Sequence, residues 1–106
     1  MSGSGGPWLH AERDHGGVVI AAVVALPPDR LSELQALYEL LDPALPPLER
    51  ERVERALETP GVTVFAAVDP LTRRLAGVVT LVTARTVART RAWAEDLVVH
   101  PEFRGR

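Results

Sequence analysis

The sequence contains no cysteine and no lysine, and each absence excludes classes of chemistry. Without cysteine there is no disulfide framework, no thiolate metal site and no cysteine nucleophile. All twelve basic residues are arginine. A lysine Schiff base and the lysine-bearing phosphate loop of nucleotide hydrolases are therefore excluded as well.

Excess charge and long apolar runs are also lacking. The net charge is only -2, and no basic stripe with interleaved aromatic residues is present, so no nucleic-acid partner is expected. The longest apolar run, Val18 to Leu26, is far shorter than the ~20 residues of a membrane-spanning helix, so no membrane partner is expected. Residues 1–6 lack the positive start and apolar core of a signal peptide. These features predict a cytoplasmic protein.

The histidines and serines do not form a catalytic pattern. His10, His15 and His100 lack the four-residue spacing that places two imidazoles on one helix face, so no metal site is predicted. No Gly-x-Ser-x-Gly turn is present, which disfavours a serine nucleophile.

Composition and periodicity predict one layered domain. Residues 1–16 are rich in glycine and polar residues and are predicted to be a flexible leader, followed by the domain over 17–106. The apolar run 18–26 predicts a strand covered on both faces by other layers. Helices are predicted from about 29 to 41 and over 48–58, and strands over 62–68, 75–84 and 92–99. This β-α-α-β-β-β order predicts an α/β fold of the layered α+β kind, with helices packed on a mostly antiparallel sheet.

Two features of the predicted strands are unusual. Gly77 inside a strand indicates a bulge or a close backbone approach. Glu95 and Asp96 lie in the middle of the last strand, although acidic residues are poor strand formers. Because adjacent strand residues point to opposite faces, one of these carboxylates could face a cleft and act there. Alternatively, one pairs with an arginine of residues 85–91 and the other is exposed; the sequence leaves both interpretations open.

The last residues are Arg104-Gly105-Arg106, which follow the last strand through a proline-containing turn. A glycine-containing loop that presents backbone N–H groups and arginine side chains is suited to bind phosphate oxygens. The stretch EDLVVHPEFRGR, residues 95–106, closely resembles the acetyl-CoA motif of the GNAT superfamily of N-acetyltransferases. In that family an aliphatic strand leads into Arg/Gln-x-x-Gly-x-Gly/Ala and then a helix. Arg104 to Arg106 match the first three positions, and the element order agrees with the first half of that fold.

The resemblance implies how acetyl-CoA would be held. The pantetheine arm would be hydrogen-bonded by the main chain of Leu97, Val98 and Val99. The pyrophosphate cradle would begin with the amides of Arg104, Gly105 and Arg106. The Gly-x-Gly/Ala half of the motif would follow from position 107, so we interpret the chain as the N-terminal part of such a domain and expect it to bind acetyl-CoA weakly by itself.

The resemblance also implies catalytic roles. Glu95 or Asp96 would act as the base toward an amine, directly or through water, or would anchor a cationic substrate. A thioester is attacked by a neutral amine, so a positioned carboxylate suits the reaction. The general acid usual in the family, a tyrosine on a later helix, has no counterpart. Tyr38 lies on the first predicted helix and is interpreted as a core or cleft-wall residue.

The expected function is acetyl transfer from acetyl-CoA to a primary amine of a small molecule or peptide, without a metal. Two alternatives belong to other classes of protein. One is a non-catalytic interaction module that pairs with a second chain, or with its own copy as a homo-oligomer, through its exposed last strand. The other is a sensor that binds an acyl-CoA without turnover.

Overall fold

The strands and helices of the chain largely follow the apolar patterns of its sequence. The structure is a computed structural model and describes residues 8–15 and 17–104. Its strands are β1 Leu9–His15, β2 Val18–Val23, β3 Val62–Val68, β4 Leu75–Arg85 and β5 Thr90–Val99, and its α-helices are α1 Leu31–Leu41 and α2 Arg50–Glu58. Short 3-10 turns lie at Pro28–Arg30 and Pro101–Phe103. Among the described helices, none is long and apolar enough to cross a membrane.

The predicted helices and later strands are confirmed, with small shifts at their ends. β3 has the predicted bounds, whereas β4 and β5 are slightly longer than predicted. A 3-10 turn that contains Pro28 precedes α1, since proline suits the first turn of a helix. α2 begins after Glu49, whose extended backbone makes it the N-cap residue.

An additional strand, β1, lies where the sequence predicts a flexible leader. Leu9 pairs with Val23 and His15 with Val18, with a register shift between His10 and Arg13. Trp8, just before the strand, is only 6% exposed and belongs to the hydrophobic core. The prediction of a flexible leader is therefore wrong for residues 8–15. The sequence does not reveal this strand, because a mostly polar edge strand lacks the alternation of apolar and polar residues that predicts one. Residues 1–7 lie outside the described part, and the domain division remains a prediction.

The sheet is antiparallel throughout, in the order β1-β2-β3-β4-β5, which confirms the layered α+β fold. Both α-helices cover the same face, because Leu37 of α1 and Val53 of α2 share one buried cluster with Ala66, Val78 and Val98. The opposite face is also apolar but only half-buried; it includes Ile20, Ala22, Phe65, Ala67, Val79 and Leu81. The prediction that β2 is covered on both faces is thus wrong for the described residues, since both described α-helices lie on one side.

Gly77 lies where β4 and β5 approach closely. A Cβ atom on Gly77 would lie 2.9 Å from the carbonyl oxygen of Val98, so another residue would fit only if the backbone shifted. The β3–β4 register also shifts beside it, between Ala67 and Val68. Both alternatives predicted for this glycine, a close approach and a bulge, are therefore confirmed.

Candidate functional site

A bulge in β5 determines where its two carboxylates lie. Val98 pairs with Val78 and Glu95 with Thr80, so β5 contains one more residue than β4 over this interval. Residues paired across two antiparallel strands lie on the same face of the sheet, and so do alternate residues of one strand. Val78 and Val98 lie on the helix-covered face, so Thr80 and its partner Glu95 lie on that face as well. Asp96, within the bulge, has a φ of 53°. Such left-handed backbone is uncommon for residues other than glycine, and aspartate is among those that tolerate it.

Asp96 also lies on the helix side of the sheet, because it lines a cavity between the sheet and the helices. The sequence expectation that Glu95 and Asp96 point to opposite faces is therefore wrong. It holds for a regular strand, whereas the extra residue of a bulge re-aims the side chains next to it.

The cavity has a volume of about 690 Å³ and is lined mostly by apolar side chains of α1, α2, their connection and the sheet. Packed cores contain few voids larger than a water molecule, whereas ligand pockets span roughly 300–1,000 Å³. The space is therefore the size of a ligand site rather than of a packing defect. Asp96 and Thr80 line it on the β4–β5 side, and Tyr38 lines it from α1.

Tyr38 and Asp96 interact electrostatically across this cavity. Burial raises the pKa of Tyr38 above its ordinary value of 10.0; a hydrogen bond with the Thr80 side chain opposes this shift in pKa, and the negative charge of Asp96 adds to it. The phenol is therefore protonated at neutral pH and can donate a hydrogen bond. Tyr38 is a wall of the cleft, one of the two positions that the sequence predicts for it.

Glu95 is held by a neighbour on its own strand. The indole Nε1 of Trp93 donates to a carboxylate oxygen of Glu95 over 3.1 Å, and both side chains are exposed. Within the described ranges, no ion pair joins Glu95 or Asp96 to an arginine of residues 85–91. The alternative in which these carboxylates pair with that connection is therefore wrong.

β5 is an edge strand, with β4 as its only strand partner among the described residues. Val98 is buried against the helices, whereas the Leu97 side chain is 62% exposed. On its outer side the strand offers main-chain groups to a ligand, as the binding role predicted for Leu97, Val98 and Val99 requires. That binding role remains a prediction.

The turn after β5 is anchored to the sheet. Phe103 is buried, and Glu102 pairs with Arg74, whose guanidinium carbon lies 5.7 Å from the Phe103 ring centroid. Arg104 donates from its Nε to the carbonyl of Val99 over 3.1 Å. Of the residues predicted to cradle a pyrophosphate, Arg104 is thus placed directly beside the end of β5, while Gly105 and Arg106 lie outside the described residues.

Sequence reasoning did not single out Thr80 or Trp93. Trp93 and Glu95 are two apart on a predicted strand, and this spacing could have identified them as neighbours on one face. Thr80 carries no such signal, because its contact with Tyr38 depends on how α1 packs on the sheet. In the described part of the chain, no three histidine, aspartate or glutamate side chains come together to hold a metal ion.

This fold is GNAT-like, as two solved acetyltransferase structures show. A protein of Agrobacterium tumefaciens strain C58, described as an acetyltransferase, is 29% identical with a TM-score of 0.63, over 77% of this chain and 60% of that one. An acetyltransferase of Trypanosoma brucei is 23% identical with a TM-score of 0.66, over 83% of this chain and 63% of that one. The matches therefore span less than two thirds of either solved structure. No protein-family model and no curated protein matches the sequence.

Proposed function

We propose that this protein is an N-acetyltransferase that transfers the acetyl group of acetyl-CoA to a primary amine of a small molecule or peptide. The observation that carries this proposal is the position of Asp96, which lines a ligand-sized cavity at the bulge of β5, in a GNAT-like fold. The acetyltransferase descriptions of the two structural neighbours support acyl transfer in general. A cytoplasmic location remains a prediction.

Asp96 is the proposed base. An amine reaches a protein at neutral pH as an ammonium ion, which has no lone pair for attack. The Asp96 carboxylate would bind this cation and accept its proton, directly or through water, which frees the lone pair for attack. The N–C bond would then form as the C–S bond breaks, and the second nitrogen proton would pass through water to the departing coenzyme A thiolate. Glu95, held by Trp93, would add a second negative charge and steer the cation towards the cavity.

Acetyl-CoA would supply the thioester from which the acetyl group leaves. The described residues fit its binding in two respects: the outer edge of β5 is open at Leu97 to Val99, and Arg104 places a cation beside the end of that strand. Tyr38, protonated in the cavity wall, can donate a hydrogen bond to a bound group and hold it in place.

Acetyl transfer is best tested with a labelled acetyl group, because we expect turnover of the isolated chain to be slow. Asp96→Asn should lower the rate by about 10²-fold or more, the scale of general base catalysis, with unchanged acetyl-CoA affinity in calorimetric titration. Glu95→Gln, which alters the carboxylate that does not line the cavity, should have a smaller effect. Equal rates for the wild type and Asp96→Asn would contradict the assignment.

The interaction-module alternative is favoured by one observation, the exposed edge of β5 with its apolar Leu97. Size-exclusion chromatography with light scattering separates the two functions. A discrete oligomer with no affinity for acetyl-CoA would support the module and contradict the enzyme. Acetyl-CoA binding that no amine substrate turns over would instead indicate a sensor.

A further inference from the structure

The charged side chains that line the cavity differ in how far they are already engaged. Arg30 donates to Glu33 and to the carbonyl of Arg73, and its guanidinium carbon lies 5.0 Å from the Trp8 ring centroid. Glu39 accepts a hydrogen bond from Gln35. The third, Arg52, is an exposed residue of α2, which packs over β3, two strands away from β5.

Asp96 is the fourth charged residue of the wall; like Arg52 it is exposed, but it carries a negative charge and lies on β5. Among the described residues, no side chain forms an ion pair or a hydrogen bond with its carboxylate. It is therefore a negative charge that is free to pair with a cationic ligand on the β5 side of the cavity.

The rest of the cavity wall is mostly apolar and partly rigid. The connection between α1 and α2 contributes Pro43, Leu45, Pro46, Pro47 and Leu48. Proline fixes its own backbone angle, so this wall has few conformations to lose when a ligand binds. Leu40 and Leu45 are 46% and 45% exposed, so apolar surface at the cavity is available for burial by a ligand.

We propose that the cavity selects amines with an apolar body, with the ammonium group at Asp96 and the body against Leu34, Tyr38 and the proline-rich connection. This inference rests on the proposed function for its identification of the ligand as the acetyl acceptor. A small polar amine would satisfy Asp96 but leave most of a cavity of about 690 Å³ unfilled. A neutral apolar ligand would fill the space and leave the carboxylate without a partner. An apolar amine satisfies both requirements.

Calorimetric titration of the 106-residue chain with three probes tests the two requirements separately. The probes are 2-phenylethylamine, its neutral analogue 2-phenylethanol, and ethanolamine, which keeps the amine and lacks the ring. We expect 2-phenylethylamine to bind at least about tenfold more tightly than either of the others, since only it makes both the charge pair and the apolar contacts. Ethanolamine or 2-phenylethanol binding as tightly as 2-phenylethylamine would overturn the proposal.

Variants locate the binding site. Asp96→Asn should reduce the affinity for 2-phenylethylamine to that for 2-phenylethanol and leave the latter unchanged; asparagine also tolerates the left-handed backbone, so the bulge is kept. Glu54→Gln is the control, because Glu54 is an exposed carboxylate of α2 that does not line the cavity; it should bind all three probes like the wild type. Leu45→Ala, at a partly exposed position where truncation leaves no buried void, should weaken both phenyl probes and not ethanolamine. Unchanged probe affinities in both Asp96→Asn and Leu45→Ala would contradict the site.

These titrations need no acetyl-CoA, so the inference and the proposed function can fail separately. Preferred binding of 2-phenylethylamine without any acetyl transfer to it would retain the ligand class and overturn the acetyltransferase proposal. Acetyl transfer to ethanolamine and 2-phenylethylamine with equal kcat/KM would retain the enzyme and overturn the apolar preference.

Discussion

Asp96 holds a backbone conformation that L-residues rarely adopt, with a φ of 53°. An alanine in the left-handed region is strained by its Cβ, whereas asparagine and aspartate form local hydrogen bonds that reduce this cost. The side chain and the backbone of Asp96 therefore contribute separately to the protein, and different substitutions can separate them.

We predict that Asp96→Ala destabilises the fold by about 1 kcal/mol more than Asp96→Asn does, because of the left-handed strain. Urea denaturation measures the difference in the free energy of unfolding. Asp96→Gly, which relieves the strain, should restore the stability without restoring ligand binding. Equal stability of the alanine and asparagine variants would show that the bulge does not require this backbone conformation.

Tyr38 is the only tyrosine in the chain, so its ionisation can be followed directly by the absorbance of the phenolate. We predict a pKa above 10.0, because burial disfavours the charged phenolate. Asp96→Asn should lower this pKa by removing a nearby negative charge. Thr80→Val should raise it, because the hydrogen bond with Thr80 stabilises the phenolate. An unchanged pKa in Asp96→Asn would contradict the proximity of the two side chains.

The raised pKa of Tyr38 also predicts how stability depends on pH. The folded state holds the phenol proton more tightly than the unfolded chain does, so stability from this group is complete below pH 10 and falls as the pH rises through the folded-state pKa. Tyr38→Phe should remove this part of the decrease in the free energy of unfolding. If the free energy of unfolding decreased equally in the Tyr38→Phe variant, the decrease would not originate from Tyr38.

At the scale of elements, β4 and β5 depend on Gly77 for their close approach. Gly77→Ala should destabilise the fold by about 1–3 kcal/mol, as overpacking does, and weaken amine binding, because β5 and its bulge must move away from the added methyl. Gly17→Ala is the control: its methyl would meet nothing within 4 Å. Gly17→Ala should lose stability only through the strain of its positive φ, and its amine binding should be unchanged. Normal amine binding by Gly77→Ala would contradict the coupling.

α1 has one face in the core and another at the cavity. Leu37 is 1% exposed, so Leu37→Ala should cost about 2–5 kcal/mol of stability. Leu40 lines the cavity and is partly exposed, so Leu40→Ala should cost little stability and weaken the binding of an apolar amine. Thermal unfolding and titration distinguish the two effects. A large loss of stability in Leu40→Ala would place that side chain in the core instead.

At the scale of the whole molecule, apolar surface is distributed unevenly. One face of the sheet lies under the helices, and the other is apolar and half-buried. An exposed edge such as β5 can pair with another strand, and a lysine on the edge opposes this. We predict concentration-dependent self-association, measured by light scattering, that Leu97→Lys reduces. Association that persists unchanged in this variant would place the contact elsewhere.

Several elements could be predicted from the sequence because their signals are local. The β-branched run of β3 is bounded by Pro60-Gly61 and Asp69-Pro70, and the leucines of α1 recur at helical spacing. The resemblance of residues 95–106 to an acetyl-CoA motif could be noticed for the same reason, since these residues are contiguous. β1 could not be predicted from the sequence, because a polar edge strand has no alternation of apolar residues.

The sequence by itself determined the helices and all the strands except β1, and it identified Glu95 and Asp96 as unusual acidic residues inside a strand. Only the tertiary structure decided which way these carboxylates face, because the register of β5 depends on its pairing with β4 and includes an extra residue. Only the tertiary structure also placed Asp96 close to Tyr38 and Thr80, which are far from it in the sequence. Local pattern follows from the backbone of one segment, whereas a cavity forms only where several segments pack together.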